Sequence, residues 1–154
     1  MEPIKLFIAS VIILIYTGAS HAQSPENYYF SKTVNGSMDQ VTVKVKTVLK
    51  EQGFGIITEI DMKQKLEEKL GKVDIQPYKI LGACNPAFAL ETLKVEENIG
   101  LFLPCKVLVK QIESDKMEVV MVNPSALMRM LGNDKLVAIA AEVTEKFEAA
   151  LREL

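Results

Sequence analysis

From residue 28 onward the chain switches between two hydrophobic rhythms, and each switch falls on residues that start or stop an element. Residues 28–34 (YYFSKTV) are rich in aromatic and β-branched side chains and predict a first strand, closed by the turn signal Asn35-Gly36. Ser37 and Gln40 then have the spacing of a capping box, in which each side chain satisfies a free amide of the other. The stretch after it reads two ways. Residues 41–46 alternate like a strand, yet Met38, Val41, Val45 and Val48 recur at spacings of three and four, the face of a helix. The cap at one end and Gly53 at the other decide for a helix.

Residues 54–60 (FGIITEI) predict a second strand, after which Asp61 and Gln64 repeat the capping logic. The short helix so opened carries Met62, Leu66 and Leu70 inward and stops at Gly71. Residues 78–84 (YKILGAC) read as a third strand. Asn85-Pro86 is a strong helix start, with Asn85 as N-cap and Pro86 in the first turn, for a helix running to about Val95. After a loop over 96–100, residues 101–111 (LFLPCKVLVKQ) predict a fourth strand. Pro104, which cannot donate to a ladder, marks an edge or bulge there. A hairpin turn at 113–116 leads to a fifth strand over 117–122. Asn123-Pro124 opens a short helix, and a long final helix keeps Leu136, Ile139, Val143, Phe147, Ala150 and Leu154 on one face.

Two long helices and five strands in this order predict an α+β domain, a two-layer sandwich with helices on one face of a largely antiparallel five-stranded sheet. The other face needs cover. Some of Ile57, Leu81, Ala83, Leu103, Val107 and Val120 are expected to line it, and a second copy of the chain is the expected cover, which makes the protein a homodimer.

The N-terminus follows a different pattern. Residues 6–16 (LFIASVIILIY) are apolar, follow Lys5, and precede small residues, with Ser20 and Ala22 at the −3 and −1 positions of a cleavage site. The run is about half of the roughly 20 residues that cross a bilayer. The reading is a signal peptide over 1–22, cleaved before Gln23, and one mature domain over 23–154, periplasmic or secreted and not membrane-bound after cleavage. Cleavage removes His21, the only histidine, so imidazole chemistry is excluded from the mature protein.

Composition narrows the function classes further. Of 154 residues, 49% are hydrophobic and 25% charged, the balance of a folded globular protein, and the net charge of −2 with no Lys/Arg cluster gives no nucleic-acid footprint. No phosphate-cradling Gly-rich loop is present. The carboxylates have structural roles open to them: Asp61 as a cap, Glu96-Glu97 as a solvated loop. Met128 and Met130, spaced by two, fall on different helix faces and read as packing rather than a copper site.

The residues around Asp61, the run 80–86 (ILGACNP) and the run 100–105 (GLFLPC) resemble the domain of unknown function 302 family, over nearly all of 28–154. The resemblance implies a compact α+β sandwich with TATA-binding-protein-like topology, a dimer, and a bacterial or archaeal source. It implies no activity.

Cys84 and Cys105 carry the remaining chemistry. In an exported protein a disulfide is the plainest reading, and across a loop of this length it would contribute roughly 3 kcal/mol. A reactive thiol pair is the second reading, because Cys84 directly precedes the helix opened by Asn85-Pro86, where free N–H groups favour thiolate. Soft-metal binding by the two sulfurs is a third. Asn85, Asp61 and Pro104 are the candidate supporting residues. Two functional hypotheses follow. The first is a non-enzymatic module binding a small apolar ligand or a protein partner, without cofactor or metal. The second is a thiol-based redox or sulfur-handling protein using Cys84 and Cys105.

Overall fold

Ser37 and Gln40 cap each other as their spacing predicts. The Gln40 amide donates to Ser37 Oγ at 3.4 Å, and the Ser37 amide donates to Gln40 Oε1 at 3.0 Å. Helix α1 (Met38–Glu51) therefore starts there, and Val41, Val45, Val48 and Leu49 are buried along one side of it. The helical rhythm prevails over the local alternation because the cap fixes the first turn before the β-branched run begins.

The computed structural model describes residues 27–154. The signal segment 1–22 and the junction at Gln23 lie outside the described residues. Five strands form one sheet: β1 (Tyr29–Asn35), β2 (Gly55–Asp61), β3 (Tyr78–Cys84), β4 (Cys105–Glu113) and β5 (Lys116–Val122). Their order is β1-β5-β4-β3-β2, and every neighbouring pair is antiparallel. Besides α1 the helices are α2 (Met62–Leu70), α3 (Pro86–Val95), α4 (Pro124–Arg129) and α5 (Asp134–Arg152). This is the expected α+β architecture with a five-stranded antiparallel sheet.

The core lies between the sheet and the helices α1 and α5. Leu49, Leu81, Val107, Met117, Val119, Met121 and Phe147 are fully buried in it, and Phe54 and Phe147 meet with ring centroids 4.8 Å apart. Each such side chain stabilises the fold by about 1.5–3 kcal/mol.

Three expectations need correction. Leu81, Ala83 and Val107 are completely buried under the helices instead of lining the bare face. Alternation alone does not pick the side, because the runs Ile80-Leu81 and Val107-Leu108-Val109 carry aliphatics at both parities. Residues 101–104 are not strand: Glu97–Phe102 is a 3-10 turn and β4 starts at Cys105, so Pro104 precedes an interior strand instead of marking an edge, and Leu103 lies off the sheet. Leu70 is 72% exposed, since α2 packs mainly against β3 and β2 at the edge of the sheet.

The bare face has its own order. Register places Ile60 opposite Ile80, Ile80 opposite Leu108, and Leu108 opposite Val120, one apolar row across four strands. Beside the row, Lys110 and Glu118 form a cross-strand ion pair at 2.7 Å.

On the helical side, Glu59 pairs with Lys46 and, at 3.4 Å, with Lys79, which also meets Asp39 at 3.2 Å. The Lys46 hydrogen bond holds the Glu59 carboxyl below its ordinary value of 4.5, against the opposing effect of burial. Burial works against the charge of Lys79, but its bonds to Asp39 and Glu59 outweigh it and raise the ammonium above 10.5. A lowered carboxylate stabilises the fold above its unfolded value, and that stabilisation is lost as pH falls through the folded value. A raised ammonium stabilises below its unfolded value, and that contribution is lost as pH rises through the folded one. The contribution of these ion pairs to the urea midpoint is therefore expected to be flat between these limits and to be lost below pH 4.5 and above pH 10.5. Glu59→Gln should flatten the acid limb, and an unchanged acid limb in that variant would refute the assignment.

Candidate functional site

At the end of the sheet where β3 finishes and β4 begins, the helices do not close onto the strands. The Asn85 side chain accepts from the amides of Ala87 at 3.0 Å and Phe88 at 3.4 Å, which starts α3 and turns the chain away from the sheet. The chain then returns through the 3-10 turn and the cis Leu103–Pro104 bond into β4. Between this excursion, α5 and the sheet lies a cavity of about 260 Å³. Ala83, Phe88, Cys105, Leu136, Ile139 and Val143 contribute to its wall. No residue of α3 is fully buried, because its inner side, with Phe88, Ala89 and Thr92, borders the cavity. Leu101, at 86% exposure, and Phe102, at 40%, belong both to the wall and to the surface, so the cavity opens there.

The wall is apolar apart from Cys84, Asn85, Thr92, Cys105 and Lys106. Their hydrogen-bonding capacity is largely consumed within the protein. Thr92 Oγ1 donates to the carbonyls of Phe88 at 2.9 Å and Ala89 at 3.0 Å, Asn85 Oδ1 is engaged as a cap, and Lys106 Nζ donates to the Pro104 carbonyl at 2.7 Å. Such a surface offers dispersion contacts and little to a polar ligand.

Both cysteines border this cavity, and both are free thiols. The expected disulfide is absent. Cys105 is register-paired with Ala83, so Cys84 stands one residue out of step with it, and side chains of adjacent strand positions leave on opposite sides. The helix beside Cys84 also has little to give a thiolate. Pro86 has no N–H, the Ala87 and Phe88 amides are taken by Asn85 Oδ1, and the Ala89 amide by the Asn85 carbonyl at 3.0 Å. Burial pushes the Cys105 thiol up to about 11, reinforced by Cys84 and only partly offset by Lys106.

The other candidates separate from the site. Asp61 caps α2, accepting from the Gln64 amide at 3.0 Å. It lies at the opposite end of β2 from Gly55, the register partner of Cys84, about 20 Å away at 3.4 Å per residue. Pro104 is not in the cavity wall; its ring packs over Gly82, where an added Cβ would come within 2.6 Å of its Cγ. Sequence reasoning missed the α5 residues of the wall. They read as ordinary core positions of an amphipathic helix. Among the described residues, no group of three or more His, Cys, Asp or Glu is placed to hold a metal, and no helix is long and apolar enough to cross a membrane.

Residues 30–154 match the sequence profile of the family described as domain of unknown function DUF302. The chain belongs to this family. A crystal structure of an uncharacterized conserved DUF302 protein from Bacillus stearothermophilus is similar over 83% of this chain and 98% of that one, at 30% identity and a TM-score of 0.77. No curated protein matches the chain. Membership in DUF302 thus carries the fold, while any activity has to be argued from the site.

Proposed function

We propose that this DUF302 protein is a non-enzymatic binding module that holds a small apolar ligand in the cavity between α3, α5 and the sheet. The observation that carries the reading is the wall itself: roomy, predominantly apolar, and with Thr92 Oγ1 and Asn85 Oδ1 already engaged within the protein. Benzene fills a dry cavity of about 150 Å³, so a volume near 260 Å³ suits about ten non-hydrogen atoms. Naphthalene has that size and serves as the probe. Binding followed by its fluorescence is expected in the micromolar range, and Ala89→Leu, which fills the wall from α3, should weaken it at least tenfold without lowering the melting temperature. Equal affinity in the variant, or no binding to either protein, would refute the reading.

The alternative, thiol redox or sulfur chemistry at Cys84 and Cys105, is favoured by their sharing one cavity, but the capped helix start and the raised Cys105 thiol weigh against it.

The proposal includes two further parts. The pattern over residues 1–22 supports export, for which the mature N-terminus should be Gln23 by intact mass. The row Ile60, Ile80, Leu108 and Val120 supports a second copy of the chain on the bare face. The adjacent Lys110–Glu118 pair carries one charge of each sign, so two antiparallel copies of the patch complement each other. Light scattering at tens of micromolar is expected to give twice the chain mass, and Leu108→Glu to give a folded monomer. A monomeric wild-type protein would remove this part.

A further inference from the structure

The cavity has one loosely held wall. On the side of the sheet and α5, Ala83, Leu136, Ala140 and Val143 are buried members of the core clusters. The outer wall is the excursion over residues 86–103, which is α3 and the 3-10 turn after it, and it supplies Phe88, Ala89, Thr92, Ile99, Leu101 and Phe102. In this segment only Ile99 is buried, at 2% exposure. It packs with Met128, Leu136 and Ala140, and the half-buried Val95 leans on the same cluster. The hydrogen bonds of the segment close within it or onto Asn85. Thr92 Oγ1 donates to the carbonyls of Phe88 and Ala89, the Glu96 amide to the Thr92 carbonyl, and the Leu103 amide to the Gly100 carbonyl. A stretch with few buried apolar contacts and a self-contained set of hydrogen bonds opens at lower free energy than the rest of a fold.

We propose that residues 86–103 are a lid on the cavity, held at its ends by β3 and β4 and latched by Ile99 and Val95, and that ligand enters and leaves when the latch releases. This rests on the apolar-cavity reading and adds how the site is gated. The other walls cannot give way alone. β3 and β4 are interior strands bonded on both sides, and α5 holds six buried residues that span both core clusters. The lid, by contrast, can move as a unit. Asn85 engages the amides of Ala87, Phe88 and Ala89 through its own side chain and carbonyl, so α3 keeps its first turn when it leaves the wall. What the opening exposes is chiefly Ile99, Val95 and the cavity side of Phe88.

Residue-resolved amide exchange tests the lid without any ligand. The amides of residues 90–95 should exchange at least about tenfold faster than those of α5. Val34 is buried in the main core from β1, at the far edge of the sheet, and stays packed while the lid is open. Val34→Ala should therefore speed exchange in α5 and leave the lid amides unchanged. Ile99→Ala should speed both, the lid by at least about tenfold, because a buried aliphatic side chain is lost from the latch. Stopped-flow fluorescence with naphthalene then tests the gate. Val95 is not in the wall, so Val95→Ala should raise the association and dissociation rates together, by about threefold or more, and leave the affinity unchanged. Unchanged rates in Val95→Ala would mean that the opening at Leu101 and Phe102 serves as a permanent port. Lid amides that speed up along with α5 in Val34→Ala would mean that the segment opens only when the whole protein unfolds. Either result overturns the lid and leaves the cavity standing. Failure of naphthalene to bind overturns the cavity reading and the gate with it.

Discussion

Gly82→Ala should destabilise the protein by about 3 kcal/mol, the upper end of what overpacking costs. A Cβ at this position would stand 2.2 Å from Thr58 Oγ1, 2.6 Å from Pro104 Cγ and 3.3 Å from Pro104 Cβ. Gly82 is buried in β3, with β2 and β4 on either side, and Thr58 is its register partner. Little can give way. The Thr58 side chain is stiff at χ1, and the Pro104 atoms belong to a ring. The glycine is therefore needed for space and not for an unusual backbone angle. Its contact with Pro104 also anchors the chain where it enters β4, directly beside the cavity mouth. Urea unfolding should show the midpoint drop. Thr58→Ala, added to Gly82→Ala, should recover part of the loss and not all, because the ring of Pro104 remains. A single variant within about 0.5 kcal/mol of wild type, the range of ordinary surface substitutions, would show that the neighbouring strands move aside at little cost.

The elements of the sheet and helices were legible because each is bounded by a residue with one clear local role. Ser37, Asp61, Asn85 and Asn123 all cap helices as their spacing predicts. The side of the sheet on which a residue lies was not legible wherever a strand carries aliphatics at both parities. Leu81 and Ile80 are indistinguishable by hydropathy, and only the docking of α1 and α5 decides that Leu81 goes inside. Residues 101–104 misled for a related reason. Their composition suits a strand, but the turn after α3 needs length to cross the end of the sheet, and a 3-10 turn provides it. Cys84 ends β3 as the pattern predicts, whereas Cys105, expected inside a strand over 101–111, is the first residue of β4. Their relation to each other depends on a register offset of one residue, which no spacing in the sequence encodes. The cavity was invisible for a deeper reason: Phe88, Leu136 and Ile139 have the periodicity of core residues, and a void arises from how α3 and α5 cross, which is a property of the packed layers and not of either helix.

Cys105 should be nearly inert at neutral pH, and its pH profile tests the reason. Burial raises its thiol from the ordinary 9.0 to about 11, which leaves about a hundredfold less thiolate at pH 7. In Cys84→Ser protein, where Cys105 is the remaining thiol, alkylation by iodoacetamide at pH 7 should be at least about a hundredfold slower than in urea. Slow access to the cavity would also reduce the rate, but it would not move the titration. The discriminating result is therefore the shape: the rate should keep climbing tenfold per pH unit to pH 10, where an ordinary thiol has already levelled off. The same shift has a stability consequence of defined sign. The unfolded chain gives up the Cys105 proton near 9.0 while the folded chain keeps it to about 11, so stability falls as pH rises through that interval and is unaffected below it. Cys105→Ser should remove that part of the alkaline loss. A plateau below pH 9 in Cys84→Ser protein would mean that the cavity tolerates a thiolate at Cys105. The redox reading of the cysteine pair would then gain the nucleophile that the capped start of α3 denies it at Cys84.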